Sequence, residues 1–373
     1  MEQYLSILRK KNTGNILSLI MVLSFVIMAL IRLYPFENSL LKIVAGVDDW
    51  KLYASFSLDI KRNGILMPSF HENYYAPAGF LYNYFVALCF YIFGENIIPV
   101  YIIQSLLLGF SVVFIYQTFK DKLKPITGIV FLFVLFLFAL VDVSKYYSFR
   151  LLSENLAIFT VSGFFFCFIK GIEKNKLGLL LLAAIFMGLS ISIRPNIFPF
   201  GIILIGIAIF YFLKQQKAKL FNLFLFSFLL AITSSLLALR NHFVCGGWTF
   251  FPTLGTSFGE NYFNDNSFSF SFFIKKIAFC LGILTPLEPD YQWRPHWILM
   301  WTGYFIYLVL RMKDKKKFEL WEVTTHLFIF CYYVVLFLFS PQLGSYGIRF
   351  FLPVLFIILP FSFMAIDKLN NKK

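Results

Sequence analysis

The chain has 373 residues, of which 59% are hydrophobic and 14% are charged, and its formal net charge is +14. Soluble domains carry about 25% charged residues, so this composition excludes a soluble globular protein and predicts an all-α polytopic membrane protein. Because the lysines lie in short loops between apolar runs, the positive charge indicates membrane orientation, and no nucleic acid is expected as a partner.

Apolar runs of membrane-spanning length recur along the chain. A transmembrane helix needs about 20 mostly apolar residues, and ten runs approach this length, which predicts about 10 transmembrane helices. The runs are 16–34, 97–119, 126–143, 155–169, 177–193, 197–213, 220–239, 297–311, 320–339 and 350–366.

A further apolar run, 76–93, is assigned by the charges of the loops that follow it. The positive-inside rule places Arg9, Lys10 and Lys11 inside. If 76–93 does not cross, every later lysine-rich loop also falls inside; if it crosses, they all fall outside. These loops are 120–124, 170–176, 214–219, 311–317 and 367–373. The run is therefore predicted to lie in the outer leaflet, as an in-plane helix of the first outer loop.

The chain is expected to form a single transmembrane domain over residues 1–373, with its polar residues concentrated on the outer face. Long outer segments fall at 35–96 and 240–296, and the run 16–34 is typical of a signal anchor because no small-residue cleavage site follows it. Both termini are expected inside. The five cysteines are scattered, and their spacing matches neither a disulfide framework nor a zinc site.

The predicted topology separates the two basic residue types. Of the 24 lysines 18 fall inside, whereas 7 of the 9 arginines fall outside. The outer arginines are Arg32, Arg62, Arg150, Arg194, Arg240, Arg294 and Arg349. Lysine inside is ordinary orientation charge, but arginine outside runs against the rule. Two explanations stay open for each of them: an anionic ligand that the guanidinium binds in bidentate fashion, or a local carboxylate partner.

Two adjacent carboxylates, Asp48 and Asp49, follow the first span. A helix that starts at Asp49 would carry Tyr53 and Phe56 on the same face, and Gly64 would break it. One aspartate is explained by helix capping, but capping does not account for two. A neighbouring carboxylate raises the pKa of its partner, so the pair can supply a general base, and it can also bind a metal ion.

Five segments in order resemble the GT-C glycosyltransferases, which use polyprenyl-phosphate sugars and include the aminoarabinose transferase of lipid A and the protein O-mannosyltransferases. Each segment lies on the predicted outer rim. The segments are the acid pair with YYAPAGFLYNYFVALCFYIFG (74–94), SKYYSFRLLSENLAIF (144–159), GLSISIRPNIFPF (188–200), LALRNHFVCGGWTFFPTLGTSFGENYF (237–263) and YGIRFFLPVLFIILP (346–360). The resemblance implies a GT-C-like fold with in-plane helices in the first outer loop, in agreement with the assignment of 76–93.

The resemblance also implies roles for single residues. The family's catalytic aspartate falls on the pair, with Asp49 favoured over Asp48, and it would activate the acceptor hydroxyl as a general base while the sugar is transferred with inversion. Arg349 and Arg240, and next Arg194, would stabilise the charge that develops on the phosphate leaving group.

Further residues are expected at the substrate or at a metal ion. Glu154 corresponds to a second family acid that orients a substrate hydroxyl; with Asp48 and Asp49 it would complete a site for a possible divalent cation. Glu72, His71, Tyr75 and Asn241 are also candidates for substrate binding, although a solvated loop accounts equally for His71 and Glu72. His296 and His326 are assigned no role.

The sequence therefore predicts a membrane glycosyltransferase that moves a sugar from a polyprenyl-phosphate donor to a glycan, lipid or protein acceptor at the outer face of the cytoplasmic membrane. Two other classes stay open: a transporter or flippase, and a polysaccharide polymerase or ligase with lipid-diphosphate donors. A transporter is disfavoured because transporters place ionisable groups near the bilayer midplane, whereas the acids and arginines here gather at one rim.

Overall fold

The computed structural model describes most of the helical parts of the chain. The described residues are 11–33, 49–65, 80–144, 151–194, 197–214, 217–245, 274, 278, 284–286, 291–293, 295–314, 318–339 and 347–370. Within these ranges the protein is helical apart from one short pair of strands.

Thirteen α-helices are described in chain order. They are α1 (Lys11–Leu33), α2 (Asp49–Asn63), α3 (Phe80–Phe93), α4 (Ile97–Phe119), α5 (Pro125–Phe138), α6 (Glu154–Glu173), α7 (Leu177–Ile193), α8 (Phe198–Lys214), α9 (Lys217–Ser234), α10 (Leu236–Cys245), α11 (Pro295–Lys313), α12 (Leu320–Phe339) and α13 (Gly347–Asn370). A 3₁₀ turn, Lys120–Lys122, follows α4, and a π-helical segment, Ala139–Ser144, continues α5.

Each of the ten predicted apolar runs lies mainly within one of these helices. Among the described residues, four helical stretches are long and apolar enough to span a bilayer: Ile97–Lys122, Pro125–Ser144, Glu154–Glu173 and Phe351–Asn370. Shorter apolar helices accompany them. The structure thus agrees with a polytopic membrane protein, and the number of about ten crossings stays a prediction.

The α6 helix lies at the centre of the bundle. It packs against α4, α7 and α13, and nearly all of its side chains are buried, including Phe164 and Phe165. Phe165 stacks edge-to-face on Phe328 of α12. A helix that is apolar all round is stable only when neighbours surround it, and aromatic packing of this kind supplies contacts that lipid would otherwise make.

The α2 and α3 helices pack against each other at the end of the bundle where α4 and α6 begin. α2 begins at Asp49, as predicted, and ends before Gly64, whose φ of +95° is a left-handed conformation that glycine adopts without strain. α3 is described over 14 residues, and the assignment of the run 76–93 as an in-plane helix stays a prediction.

One short pair of strands accompanies the helices of the all-α fold. Residues Leu284–Pro286 (β1) and Tyr291–Trp293 (β2) form an antiparallel pair within the predicted second outer loop. Two antiparallel strands satisfy each other's backbone groups, and a hydropathy pattern does not reveal such pairing.

Candidate functional site

The first turn of α6 and the last turn of α7 meet because the two helices form an antiparallel hairpin. Glu154 is the first residue of α6. α7 ends at Ile193, and Arg194 has extended backbone angles, φ −133° and ψ 90°. Proline at position 195 explains this end, because the residue before proline is disfavoured in the α region.

Glu154 and Arg194 form an ion pair at this end of the hairpin. Arg194 Nη2 donates to Glu154 Oε1 over 2.5 Å, and both side chains are buried, with 1% of Glu154 and 11% of Arg194 exposed. Each charge also suits its helix dipole, since an acid lies at the N-terminus of α6 and a base at the C-terminus of α7. Of the two explanations that the sequence left open for each outer arginine, Arg194 therefore shows the second, a local carboxylate partner.

Buried polar side chains extend from this ion pair toward α3 and α4. The Tyr82 hydroxyl of α3 donates to Gln104 Oε1 of α4 over 2.5 Å, and Asn155 Nδ2 of α6 donates to the Gln104 carbonyl oxygen over 3.3 Å. The Tyr82 hydroxyl is also within electrostatic reach of the Glu154 carboxylate. We call Tyr82, Gln104, Glu154, Asn155 and Arg194 the polar layer. Buried polar groups in a membrane protein are costly and commonly mark function.

The α2 helix, which begins at Asp49, contacts the polar layer. Tyr53, one turn after Asp49, stacks edge-to-face on Tyr82 with ring centroids 4.9 Å apart. Ala54 and Leu58 of α2 belong to one buried apolar cluster together with residues on either side of the ion pair. That cluster includes Tyr82, Val86, Leu151, Leu156, Ala157 and Ile193. α2 is thereby joined to the polar layer through Tyr82 of α3.

Arg240 of α10 lies against the first outer loop. Only 6% of it is exposed, and its guanidinium lies in hydrogen-bonding range of the Tyr84 hydroxyl of α3. The same hydroxyl donates to the Ile65 carbonyl oxygen just beyond Gly64. Arg240 therefore contacts the α2–α3 unit, although it follows that unit by more than a hundred residues.

Arg62 has a carboxylate partner. It lies 3.2 Å from Glu95, which Lys61 also contacts at 3.3 Å. Burial alone would raise the pKa of the Glu95 carboxyl, but the hydrogen bonds and charges of Lys61 and Arg62 lower it below its ordinary value. Arg62 is mostly exposed, so this pair contributes little to stability.

Several predicted site residues lie wholly or partly outside the described residues. Asp48, His71, Glu72 and Tyr75 lie outside them, as do the side chains of Asp49, Asn241 and Arg349. The backbone places Asp49 at the start of α2 and Arg349 in the first turn of α13. The described part of the chain holds no group of three or more His, Cys, Asp or Glu side chains that could bind a metal ion, so the divalent-cation site stays a prediction.

The sequence interpretation missed a second acidic group, Asp142, and its partner His296. Asp142 lies in the π-helical segment and is 2% exposed, and its Oδ2 lies 3.0 Å from Nε2 of His296, the second residue of α11. Asp142 was hidden inside the apolar run 126–143. Gln104 was hidden in the same way inside 97–119. The signal that could have revealed both is a polar residue in an otherwise apolar run.

Comparison with known proteins supports the membrane-enzyme interpretation. The family described as dolichyl-phosphate-mannose-protein mannosyltransferase matches residues 77–238, somewhat under half of the chain. No curated protein sequence matches the chain. The matched region includes α3 and the polar layer and ends within the first turn of α10, before Arg240. This match confirms the resemblance to the GT-C superfamily over residues 77–238 and supports a membrane glycosyltransferase as the class of enzyme.

Proposed function

We propose that this protein transfers a sugar from a polyprenyl-phosphate donor to a glycan, glycolipid or protein acceptor of the cell envelope. The reaction takes place at the outer face of the cytoplasmic membrane, with both termini in the cytoplasm. The family match supports the donor class, because that family is named for a dolichyl-phosphate sugar.

The observation that carries the proposal is the packing of α2 on the polar layer. The helix that begins at Asp49 contacts Tyr82 through Tyr53, and Tyr82 lies within electrostatic reach of Glu154. A carboxylate at the start of α2 would then lie at the same end of the bundle as Glu154, Arg194 and Arg240. Transfer needs a base for the acceptor and cations for the phosphate, and we assign both roles to residues at this end.

Asp49, with Asp48 as its neighbour, acts as the general base that takes the proton of the acceptor hydroxyl. The new bond forms at the anomeric carbon of the sugar as the bond to the lipid phosphate breaks, which inverts the configuration. Negative charge develops on the phosphate oxygen, and Arg240 and Arg349 stabilise it. Because Arg194 is paired with Glu154, it acts mainly by holding that carboxylate toward the substrate.

The remaining predicted residues surround these groups in the proposal. His71, Glu72 and Tyr75 of the first outer loop and Asn241 beside Arg240 contact the sugar or the acceptor. If the reaction uses a divalent cation, Asp48, Asp49 and Glu154 are the residues that would bind it.

The decisive experiment is an in vitro transfer assay with the purified full chain and a panel of synthetic polyprenyl-phosphate sugars. Donor consumption is measured for wild type, Asp48→Asn, Asp49→Asn and the double variant, with and without a chelator. Loss of a general base lowers the rate about 10²- to 10⁴-fold, and we expect that loss for Asp49→Asn.

Arg62→Ala is the matched control, because it removes an outer-rim cation whose partner is the exposed Glu95. It should keep wild-type activity, whereas Arg240→Ala should not. Full activity of the double aspartate variant would overturn the assignment of the base. Failure of the wild type to consume any donor in the panel would contradict the proposed function itself.

A further inference from the structure

Asp142 and His296 form a carboxylate–imidazole pair outside the polar layer. The Asp142 side chain is 3% exposed and the His296 side chain is 48% exposed. His296 Nε2 lies 3.0 Å from Asp142 Oδ2, and an ionised carboxylate there would accept a hydrogen bond from the ring. The second ring nitrogen, Nδ1, is then left for another partner, and half of the ring is open to it.

The position of the pair along the bundle follows from the packing of α5 against α13. The two helices run antiparallel with a constant register: each step forward on α5 matches a step backward on α13. Three contacts define the register, Thr127 with Asp367, Phe131 with Phe363 and Phe138 with Phe356. If this register is extended past Phe138, Asp142 lies level with about residue 352 of α13.

The backbone of Arg349 therefore lies about one helical turn, about 5 Å, further toward the outer end than Asp142. His296 begins α11, which packs along α13. The pair thus lies just inside the outer rim, on the side of the bundle where Arg349 begins its helix. A π-helical segment carries Asp142, and such segments recur at functional sites.

We propose that His296, oriented by Asp142, binds the phosphate group of the polyprenyl-phosphate carrier; the inference rests on the proposed function above. In its protonated form the imidazole donates from both nitrogens, so Nδ1–H can donate to a phosphate oxygen while Nε2–H is held by Asp142. A phosphate bound there would lie within reach of a long side chain at position 349.

Asp142 is a positioning residue in this arrangement. It is too deeply buried to contact a ligand directly, and its carboxylate fixes the orientation of the imidazole, as carboxylates do for histidines at metal sites. Loss of Asp142 should therefore weaken phosphate binding less than loss of His296, while the phosphate-free lipid should bind as before.

The test is direct binding of a polyprenyl phosphate to the purified full chain in detergent, followed by tryptophan fluorescence, with the polyprenol of the same length as the phosphate-free probe. His296→Ala should weaken polyprenyl-phosphate binding about 10- to 100-fold, as expected for a lost hydrogen bond between charged groups, and leave polyprenol binding unchanged. His296→Lys should regain part of the affinity because it restores a cation, which a hydroxyl-binding role would not require.

Asp142→Asn should weaken binding several-fold, and Arg62→Ala should bind as the wild type does. Thermal melting of each variant verifies folding, and the unchanged polyprenol binding expected of His296→Ala is a second check that its fold is intact. Unchanged phosphate binding by His296→Ala overturns the inference and leaves the proposed function standing. A wild-type chain that binds polyprenol and polyprenyl phosphate equally would contradict both.

Discussion

At the scale of single residues, the outer end of the bundle depends on groups that are both buried and polar. Glu154 and Arg194 neutralise each other, and Tyr82 and Asn155 satisfy Gln104. Inside a bilayer no water replaces a lost partner, so each of these groups makes its neighbours necessary. We therefore expect the loss of a single polar atom from the polar layer to lower the stability of the protein.

We expect Glu154→Gln to destabilise the protein, because it leaves the Arg194 guanidinium without its carboxylate. Removing one partner of a buried pair typically costs about 3–5 kcal/mol. The measurement is thermal unfolding in detergent, and the double variant Glu154→Gln with Arg194→Met should regain much of the lost stability. If Glu154 also contacts the substrate, the double variant will stay inactive in the transfer assay although it is stable. A single variant as stable as the wild type would show that the pair has no structural role.

Tyr82→Phe should remove the hydroxyl that donates to Gln104 and leave that amide oxygen without this donor. An unsatisfied buried acceptor costs about 1–3 kcal/mol, so a lower melting temperature is expected. Tyr91→Phe is the matched control on α3, because the Tyr91 hydroxyl donates to the Lys61 carbonyl from an exposed side chain. Equal melting temperatures for the two variants would contradict the importance of the Tyr82 hydrogen bond.

At the scale of elements, small residues set how closely the helices approach. A Cβ atom added to Gly188 of α7 would lie 1.9 Å from Thr233 Oγ1 and 3.0 Å from the Thr233 carbonyl carbon of α9. Gly303 of α11 approaches Ser362 of α13 in the same way, with the Ser362 hydroxyl donating to the Met300 carbonyl oxygen. Close backbone approach at small residues is a common means of packing membrane helices.

Gly188→Ala should therefore separate α7 from α9 and destabilise the protein by about 1–3 kcal/mol, the usual cost of overpacking. Gly178→Ala is the control on the same helix, because a Cβ there meets nothing within 4 Å. Alanine is also the better helix former, so Gly178→Ala should be neutral or slightly stabilising. Thermal unfolding of the two variants side by side decides the point, and equal effects would contradict the close contact at Thr233.

Hydropathy alone predicted where most of these elements lie, because apolar length is a property of one segment. The start of α2 at Asp49 and its end before Gly64 were also readable from local chemistry. The pairing of Arg194 with Glu154 was not, because it depends on the relative register of two helices. Asp142 and Gln104 were missed for a related reason. The mean hydropathy of an apolar run hides a single polar residue, and only the packing of the helices shows that this residue has a partner.

At the scale of the whole molecule, the charged pairs lie at the two ends of the bundle. One end carries Arg62–Glu95, Arg194–Glu154 and His296–Asp142. The other end carries Lys122–Glu173, Lys170–Asp121, Arg311–Glu322 and Lys368–Asp314. Between them α4 runs for 23 residues, about 34 Å, which matches the thickness of a hydrocarbon core. The lysine-rich end has the composition expected of a cytoplasmic face.

This partition predicts which end faces the cytoplasm. Glu95 and Lys174 are separated by α4, α5 and α6, and three crossings place them on opposite sides. In intact cells a membrane-impermeant maleimide should label the Glu95→Cys variant, whereas the Lys174→Cys variant should react only after permeabilisation. Both variants are made in a Cys245→Ser, Cys280→Ser background, which alone is the blank, because those two cysteines fall in the predicted second outer loop, whereas Cys89, Cys167 and Cys331 are buried.

The opposite labelling pattern would place the polar layer in the cytoplasm, where the proposed outer-face reaction could not occur. Labelling of both variants from one side would mean that an odd number of these three helices fails to cross. That result would be hard to reconcile with the α6–α7 hairpin, which carries Glu154 and Arg194 at one end and, at the other, Glu173 paired with Lys122 of the turn after α4. Because each outcome constrains the same three helices, the labelling experiment tests the side of the site independently of any assay of its chemistry.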